Sequence, residues 1–536
     1  MTSIRRAKGT LLWLPLCFVL IGAGAHGIGM HAEIPVIQLS SGASDQEPSG
    51  RYDLHLRGGW IIDGTGSPAR RADILVRDDR IAWIGVEVPG DLSVERIIDA
   101  SGMYITPGFI DAHTHGDPFS TPDFENFLAM GVTTISLGQD GSSPGRADIE
   151  GWMRRVDDLD LGLNIVLYVG HGTVRRLAGV ELGRTATDSE TEAMASLIGE
   201  AMDAGCFGLS TGLEYRPGWF AEQDELVGIA LPVAVQGGLV MSHVRNEDED
   251  AIHASIDELI AQGAGSGSAV HIAHIKVVYG AGQGRAEEVL GFMEEGRRQG
   301  VNVTADIYPY LASYTGISIV FPDWALAPND YRTVVADRRA ELAVYLRERV
   351  MKRNGPGATL FGTGEWSGRT LLEVAADLGK PFEDVLIDDI GPGGAGAAYF
   401  VMDADLQDRL LLDPRIMIST DGSPEMRHPR GYGAFARIIR KYVVEQKMLK
   451  LEEAVYKMSG LTAATIGLDR LDRGLLKEGY AADIIIFDPV SVLDHATFEQ
   501  PHRFATGFTH VIVNGRIVRE SGEMTDERSG RMLRHR

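Results

Sequence analysis

The sequence predicts an α/β protein: a (β/α)8, TIM-like barrel carrying a small composite β-sandwich domain made from segments near the two ends of the chain. Three observations lead there. Between residues 105 and 472, strand-like apolar runs alternate with helical patterns about eight times. Short alternating strands split by Gly and Asp turns occupy 52–104 and return at 473–522. The 65 glycines among 536 residues suit a fold with many short turns. A content of 44% hydrophobic and 24% charged residues is that of an ordinary globular protein, and the length allows one large and one small domain.

In chain order, residues 1–30 have the plan of a signal peptide: Arg5, Arg6 and Lys8, an apolar run from Leu11 to about Ile21, then small residues. The run is short for a membrane span, which needs about 20 apolar residues. Export to the periplasm or the medium is expected, with an uncleaved membrane anchor as the alternative. Cleavage removes Cys17 and leaves Cys206 alone, so the mature chain has no internal disulfide. Residues 31–51 read as a polar linker. The β segment 52–104 includes "ILVRDDRIAWIG"; its counterpart at 473–522 includes a strong hairpin turn, Asn514-Gly515.

The barrel strands are read in the His-bearing segment "GFIDAHTHGD" and in "VTTISLG", "NIVLYVG", "FGLSTG", "GLVMSHV", "AVHIAHIKV", "NVTADIYPY" and "RIMIST". Helical patterns such as "DSETEAMASLIGEAMDAG" and "GRAEEVLGFMEEGRRQG" separate them. The stretch between the last two strands exceeds one crossover, so an insertion is expected within about 314–400. The formal net charge of −24 offers no basic surface for nucleic acid or anionic membrane. The expected partner is a small-molecule substrate.

Chemistry in such a barrel sits at the C-terminal strand ends. His113 and His115 project to one side of an extended segment, together with Asp111 and opposite Thr114. The other strand ends supply Asp140, His243 with Arg245 two residues on, His274 with Lys276, and Asp421. His271 lies near a strand start and reads as structural. Four imidazoles and two carboxylates at one barrel mouth form a donor set for a divalent transition metal. Such an ion, bound with one position open, lowers the pKa of a water to about 7 and polarises a carbonyl. A carboxylate beside it can take the proton of the water and return it to a leaving amine. Asp421 is the candidate for that catalytic role.

The order of these motifs resembles the amidohydrolase superfamily, and within it most the D-aminoacylases (N-acyl-D-amino-acid deacylases). The resemblance rests on "GFIDAHTHGD", "GLSTGLEYRPG", "SHVRNE", "ADIYPYLAS" and "HPRGYGAFARII", and runs from about residue 52 to 520. It implies a divalent metal cofactor, zinc in the first place, as one or two ions. His113 and His115 would hold the weaker site and His243 and His274 the tighter one. The bridging cysteine of the family's "GNCG"-like turn is replaced here in "GQDG", which puts Asp140 in its place. Lys276, Tyr308 and Arg430 match the family's clamp for the substrate carboxylate, with Arg430 expected in a loop, and Tyr215 would line the pocket. The implied reaction is hydrolysis of the amide of N-acyl-D-amino acids or D-terminal dipeptides. The alternative is a cyclic-amide hydrolase of the dihydropyrimidinase or hydantoinase type. Those enzymes bridge their metals with a carboxylated lysine from strand four, and no lysine stands at that strand end here. A non-catalytic relative would have lost ligands, whereas every ligand position is filled.

Overall fold

The computed structural model describes residues 50–536, apart from 87, 89–91 and 146–147. The export signal read at 1–30 and nearly all of the linker read at 31–51 lie outside the described residues. Arg51, the last residue assigned to that linker, opens a strand instead. Among the described residues no helix is long and apolar enough to cross a membrane.

Eight parallel strands form the barrel in chain order: β1 (Phe109–Asp111), β2 (Val132–Leu137), β3 (Asn164–Gly170), β4 (Gly208–Gly212), β5 (Leu239–His243), β6 (Ala269–Ile272), β7 (Val303–Ile307) and β8 (Ile416–Ile418). Every residue of β2, β3, β4 and β5 is buried. That is why these strands read as continuous apolar runs rather than alternating ones: helices cover the outer face and side chains fill the inner one. The helix Asp188–Asp203 begins at a capping box in which Thr187 and Glu190 satisfy each other's backbone amides.

The first and last strands meet just beyond their ends. Asp111 Oδ1 accepts from the Thr420 amide at 3.1 Å. The Asp421 amide donates to His113 O at 2.9 Å, and the His115 amide to Gly422 O at 2.8 Å. Desolvation pushes buried Asp111 up to about 8, against the bonds it accepts from Thr420 and His113.

The strands of the two segments that flank the barrel in sequence join into one continuous nine-stranded sheet. Its two sequence segments meet where Tyr104–Pro107 pairs antiparallel with Ile484–Phe487. Leu56, Ile74 and Ile105 from the first segment and Ile484, Ile486 and Ile512 from the second share one apolar core. At the predicted hairpin, Asn514 and Gly515 both have positive φ (46° and 78°), as a type I′ turn requires. Beyond this sheet the chain returns under the barrel. Ile165 of β3 donates to Arg531 O (2.9 Å) and accepts from the Leu533 amide (2.8 Å).

Between β7 and β8 the chain builds a small α/β unit. Strands Ser313–Gly316, Thr359–Phe361 and Gly396–Tyr399 form an antiparallel sheet, with the helix Tyr331–Lys352 beside it. Leu342, Leu346, Val374 and Leu386 belong to its own core.

Candidate active site

The eight strands bring His113, His115, Asp140, His243, His274, Lys276 and Asp421 to one mouth. The pocket above them has a volume of about 790 Å³, open solvent at its entrance included. Three of its residues hold left-handed backbone: Asp140 (φ 53°), His274 (φ 38°) and Asp421 (φ 49°). Non-glycine residues pay roughly 1–3 kcal/mol for such conformations, and here each one turns a functional side chain inward from a strand end. The "GQDG" turn allows this at Asp140. Gly138 has φ 83°, and a Cβ there would come within 2.0 Å of Tyr168 O.

Asp140 is the centre of the cluster. Its Oδ1 lies 3.3 Å from His113 Nε2, 3.4 Å from His274 Nε2 and 3.9 Å from His243 Nδ1, while Oδ2 lies 3.4 Å from His115 Nε2. Asp421 Oδ1 is 3.2 Å from His115 Nε2 and 3.7 Å from His113 Nε2. Apart from the 3.2 Å contact of His115 with Asp421, these separations are long for hydrogen bonds between ring nitrogen and carboxylate. They match two ligands of one tetrahedral zinc, which sit about 3.3 Å apart when each bond is near 2.0–2.1 Å. Both ring nitrogens of His113, and Asp140 Oδ1, are buried with no hydrogen-bond partner. Donor atoms of His113, Asp140, His274 and Asp421 fall within 4.8 Å of one another, as do those of His243, Glu247 and His274. The residues present therefore fit a divalent metal ion.

The charge balance agrees. Five carboxylates (Asp140, Glu214, Glu247, Asp248 and Asp421) line the pocket with His115, His243 and His274, against the cations Lys276, Arg353 and Arg430. Burial pulls His115 down, but contact with Asp140 and Asp421 outweighs it and pushes the ring up to about pH 9. Burial and Lys276 act the same way on His274, yet Asp421, Asp140 and Glu247 raise it to about 10. The carboxylates demand positive charge at this spot.

Asp421 is no free carboxylate: its Oδ2 pairs with Arg430 Nη1 at 2.8 Å. Burial raises its carboxyl, but Arg430, His274 and His115 outweigh burial and hold it far below the usual carboxylate range. Arg430 stands not in a loop, as expected, but as the first residue of the helix Arg430–Arg437, buried beneath the mouth. Lys276 Nζ donates to Glu247 Oε1 (2.6 Å) and lies 2.7 Å from His274 Nδ1. Tyr308 is buried behind the pocket wall, its ring 4.7 Å from the Arg430 guanidinium and 5.8 Å from Lys276 Nζ. Tyr215 lines the pocket, its ring 4.5 Å from that of His243. His271 Nδ1 bonds Thr304 Oγ1 at 2.7 Å, away from the pocket. Arg245 turns outward and pairs with Glu258.

Three carboxylates that the motif reading passed over belong to the cluster. Glu214 Oε2 takes the Nε2 proton of His243 at 3.0 Å, which leaves Nδ1 free to face Asp140. Glu247 does the same beside His274 Nδ1 at 3.2 Å. Asp306, inside β7, accepts from the His274 amide. The signal for the two glutamates lay within motifs already quoted, directly before Tyr215 and four residues after His243.

A model described as "Amidohydrolase family" matches residues 403–519. D-aminoacylase of Alcaligenes xylosoxydans xylosoxydans is 36% identical over 515 residues, which is 91% of this chain and 98% of that protein. N-acyl-D-glutamate deacylase of the same organism is 35% identical over 90% of this chain and 97% of its own. Among solved structures, N-acyl-D-glutamate deacylase from Bordetella bronchiseptica, complexed with zinc and a phosphonate inhibitor, superposes with a TM-score of 0.79 at 34% identity. The match covers 90% of this chain and all of that one. L-hydantoinase from Arthrobacter aurescens shares only the fold, at 18% identity and a TM-score of 0.53, over 90% of this chain and all of its own. With more than a third of its residues identical along nine-tenths of its length, this chain belongs to the D-aminoacylase family of amidohydrolases.

Proposed function

We propose that this protein is a metal-dependent hydrolase of the amide bond of N-acyl-D-amino acids, D-terminal dipeptides included. The observation that carries the reading is the convergence of four imidazoles on the Asp140 carboxylate, with Asp421 against His115 beside it. The relatives named D-aminoacylase and N-acyl-D-glutamate deacylase support the substrate class.

His113 and His115 would hold one ion and His243 and His274 another, with Asp140 between them. When bound, a divalent metal, zinc in the first place, supplies Lewis acidity for the scissile carbonyl and acidifies water. Asp421 takes a proton from the attacking water and delivers it to the leaving amine nitrogen. Arg430 keeps Asp421 ionised and fixes Oδ2, so that Oδ1 faces the imidazoles. Lys276 and Arg430 put two cations on the pocket wall for the free α-carboxylate of the substrate, and Tyr308 backs both. A neutral cyclic amide has no group for that pole, which favours the acyl amino acid.

The test is a screen of the metal-loaded protein against N-acyl-D-amino acids, their L-enantiomers, D-terminal dipeptides and hydantoins, with metal per chain measured in parallel. Turnover confined to the D-acyl compounds is the expected result. Turnover of hydantoins alone would replace this reading with the cyclic-amide one. The order of residues 1–30, basic then apolar then small, supports export of the protein as part of the same proposal.

A further inference from the structure

The catalytic pocket has a second cationic pole that the reaction above does not use. Arg353 follows the helix Tyr331–Lys352 of the inserted unit and lines the same pocket as His115, Asp140 and Arg430. It is only 2% exposed. For a buried guanidinium with five donors its polar contacts are poor: Tyr279 Oη at 3.4 Å and Asp248 Oδ1 at 4.0 Å. Its Nε has no partner. The rings of Tyr399 and Tyr279 lie 4.9 and 5.9 Å from it and leave its edge for another ligand.

The acids of the pocket are engaged elsewhere. Asp248 is held by Arg349 Nη1 at 2.6 Å and has Lys352 Nζ at 3.7 Å. Glu247 pairs with Lys276, Glu214 with His243, and Asp421 with Arg430. Among the described residues of the lining, Arg353 is the cation left without a close carboxylate. A buried guanidinium in that condition is costly unless a ligand completes its hydrogen bonds. Beside it the pocket wall offers Ser313 and Tyr314, whose phenol also lacks a partner.

We infer that Arg353 binds a second carboxylate of the substrate, so that the preferred substrates are N-acyl-D-amino acids carrying two acid groups. This rests on the hydrolase reading above. One carboxylate meets Lys276 and Arg430; the other meets Arg353. The second acid belongs either to the amino-acid side chain or to the far end of the acyl group.

Two matched pairs separate these sources: N-acetyl-D-glutamate against N-acetyl-D-glutamine, and N-succinyl-D-leucine against its terminal amide. In the wild-type protein, one acid should exceed its neutral isostere in kcat/KM by at least tenfold, and that pair identifies the end that Arg353 holds. Arg353→Met should cut this acid-to-amide ratio at least fivefold, and Arg353→Lys should restore part of it. A structural role would slow both members of a pair alike and leave the ratio unmoved, which would overturn the inference. Wild-type ratios at or below one for both pairs would also overturn it, whether or not the variants fold, while leaving the hydrolase reading intact. Failure to hydrolyse any of the four compounds, or any other N-acyl-D-amino acid, would remove both.

Discussion

His243 Nδ1 and His274 Nε2 face each other across 3.0 Å, and both also look toward Asp140 Oδ1, at 3.9 and 3.4 Å. Their outer nitrogens face carboxylates that take their protons, Glu214 for His243 and Glu247 for His274. The two inner nitrogens are therefore lone-pair donors aimed at one point. That point is where a cation belongs, and Asp140 is its anionic wall.

Asp140→Ala should accordingly lower metal per chain and activity together. Asp140→Cys should restore part of both, since thiolate also binds zinc. Metal analysis of the purified variants checks this. Full metal content in Asp140→Ala would take Asp140 off the ligand list.

Asp421→Asn keeps the shape of the side chain and removes the base. Turnover should fall by a factor of about 10² or more, within the range for general-base catalysis, with the far-UV circular dichroism unchanged. Near-normal turnover would end the role assigned to Asp421.

Arg430 is asked to do two things: to hold Asp421 and to meet the substrate carboxylate. A buried charge-assisted bond lost to truncation costs about 1.5–3 kcal/mol, or about 10- to 150-fold. Arg430→Met should lower kcat for an acyl-D-amino acid and for its neutral α-amide alike, through Asp421. It should cost the acid at least a further order of magnitude in kcat/KM. Equal loss on both substrates would confine Arg430 to the bracing of Asp421.

Lys457 gives a pH dependence away from the site. It is buried on the helix Leu451–Met458, its Nζ donates to Asp413 O, and desolvation pushes it down to about 7 against the partial compensation of Asp413. Between that value and the ordinary lysine range near 10.4, the unfolded chain binds a proton that the folded chain does not. The contribution of Lys457 to stability therefore rises with pH across this window, and the penalty is full below it. Thermal unfolding from pH 6.5 to 9.5 should show the gap between Lys457→Met and wild type shifting toward wild type as pH rises. A gap independent of pH would show that Lys457 stays charged in the fold.

If export is correct, protein recovered from the periplasm should begin after about residue 22 by N-terminal sequencing. The positive charges followed by an apolar stretch of limited length motivate this expectation. Full-length chain in the cytosol would count against it.

The barrel was legible because its buried parallel strands leave unbroken apolar runs, each ended by a polar residue that the fold turns inward. His113, His115, His243, His274 and Asp421 all carry that mark. Glu247 does not: it lies four residues past β5, and it meets its partners His274 and Lys276 only when the β6 end packs beside it. Asp306 sits within β7, hidden by its apolar neighbours, and its contact is to the backbone of His274, a partner that a one-dimensional pattern does not reveal. Arg353 was invisible for a related reason. It belongs to the inserted unit, whose placement over the mouth depends on tertiary packing rather than on any local period. The pairing of Tyr104–Pro107 with Ile484–Phe487 likewise joins segments that carry only their own strand patterns.

The seam between β1 and β8 has a consequence for how this protein becomes active. Asp111 and Thr420, bonded across it, are 309 positions apart, and His115 and Asp421 are 306 apart. Contacts of such long sequence separation form late and slowly. The same few residues close the barrel and complete the reaction centre, so the complete site needs both ends of the barrel domain together. Recovery of turnover after dilution from denaturant therefore marks the last long-range event of refolding, and it should lag behind the return of helical signal.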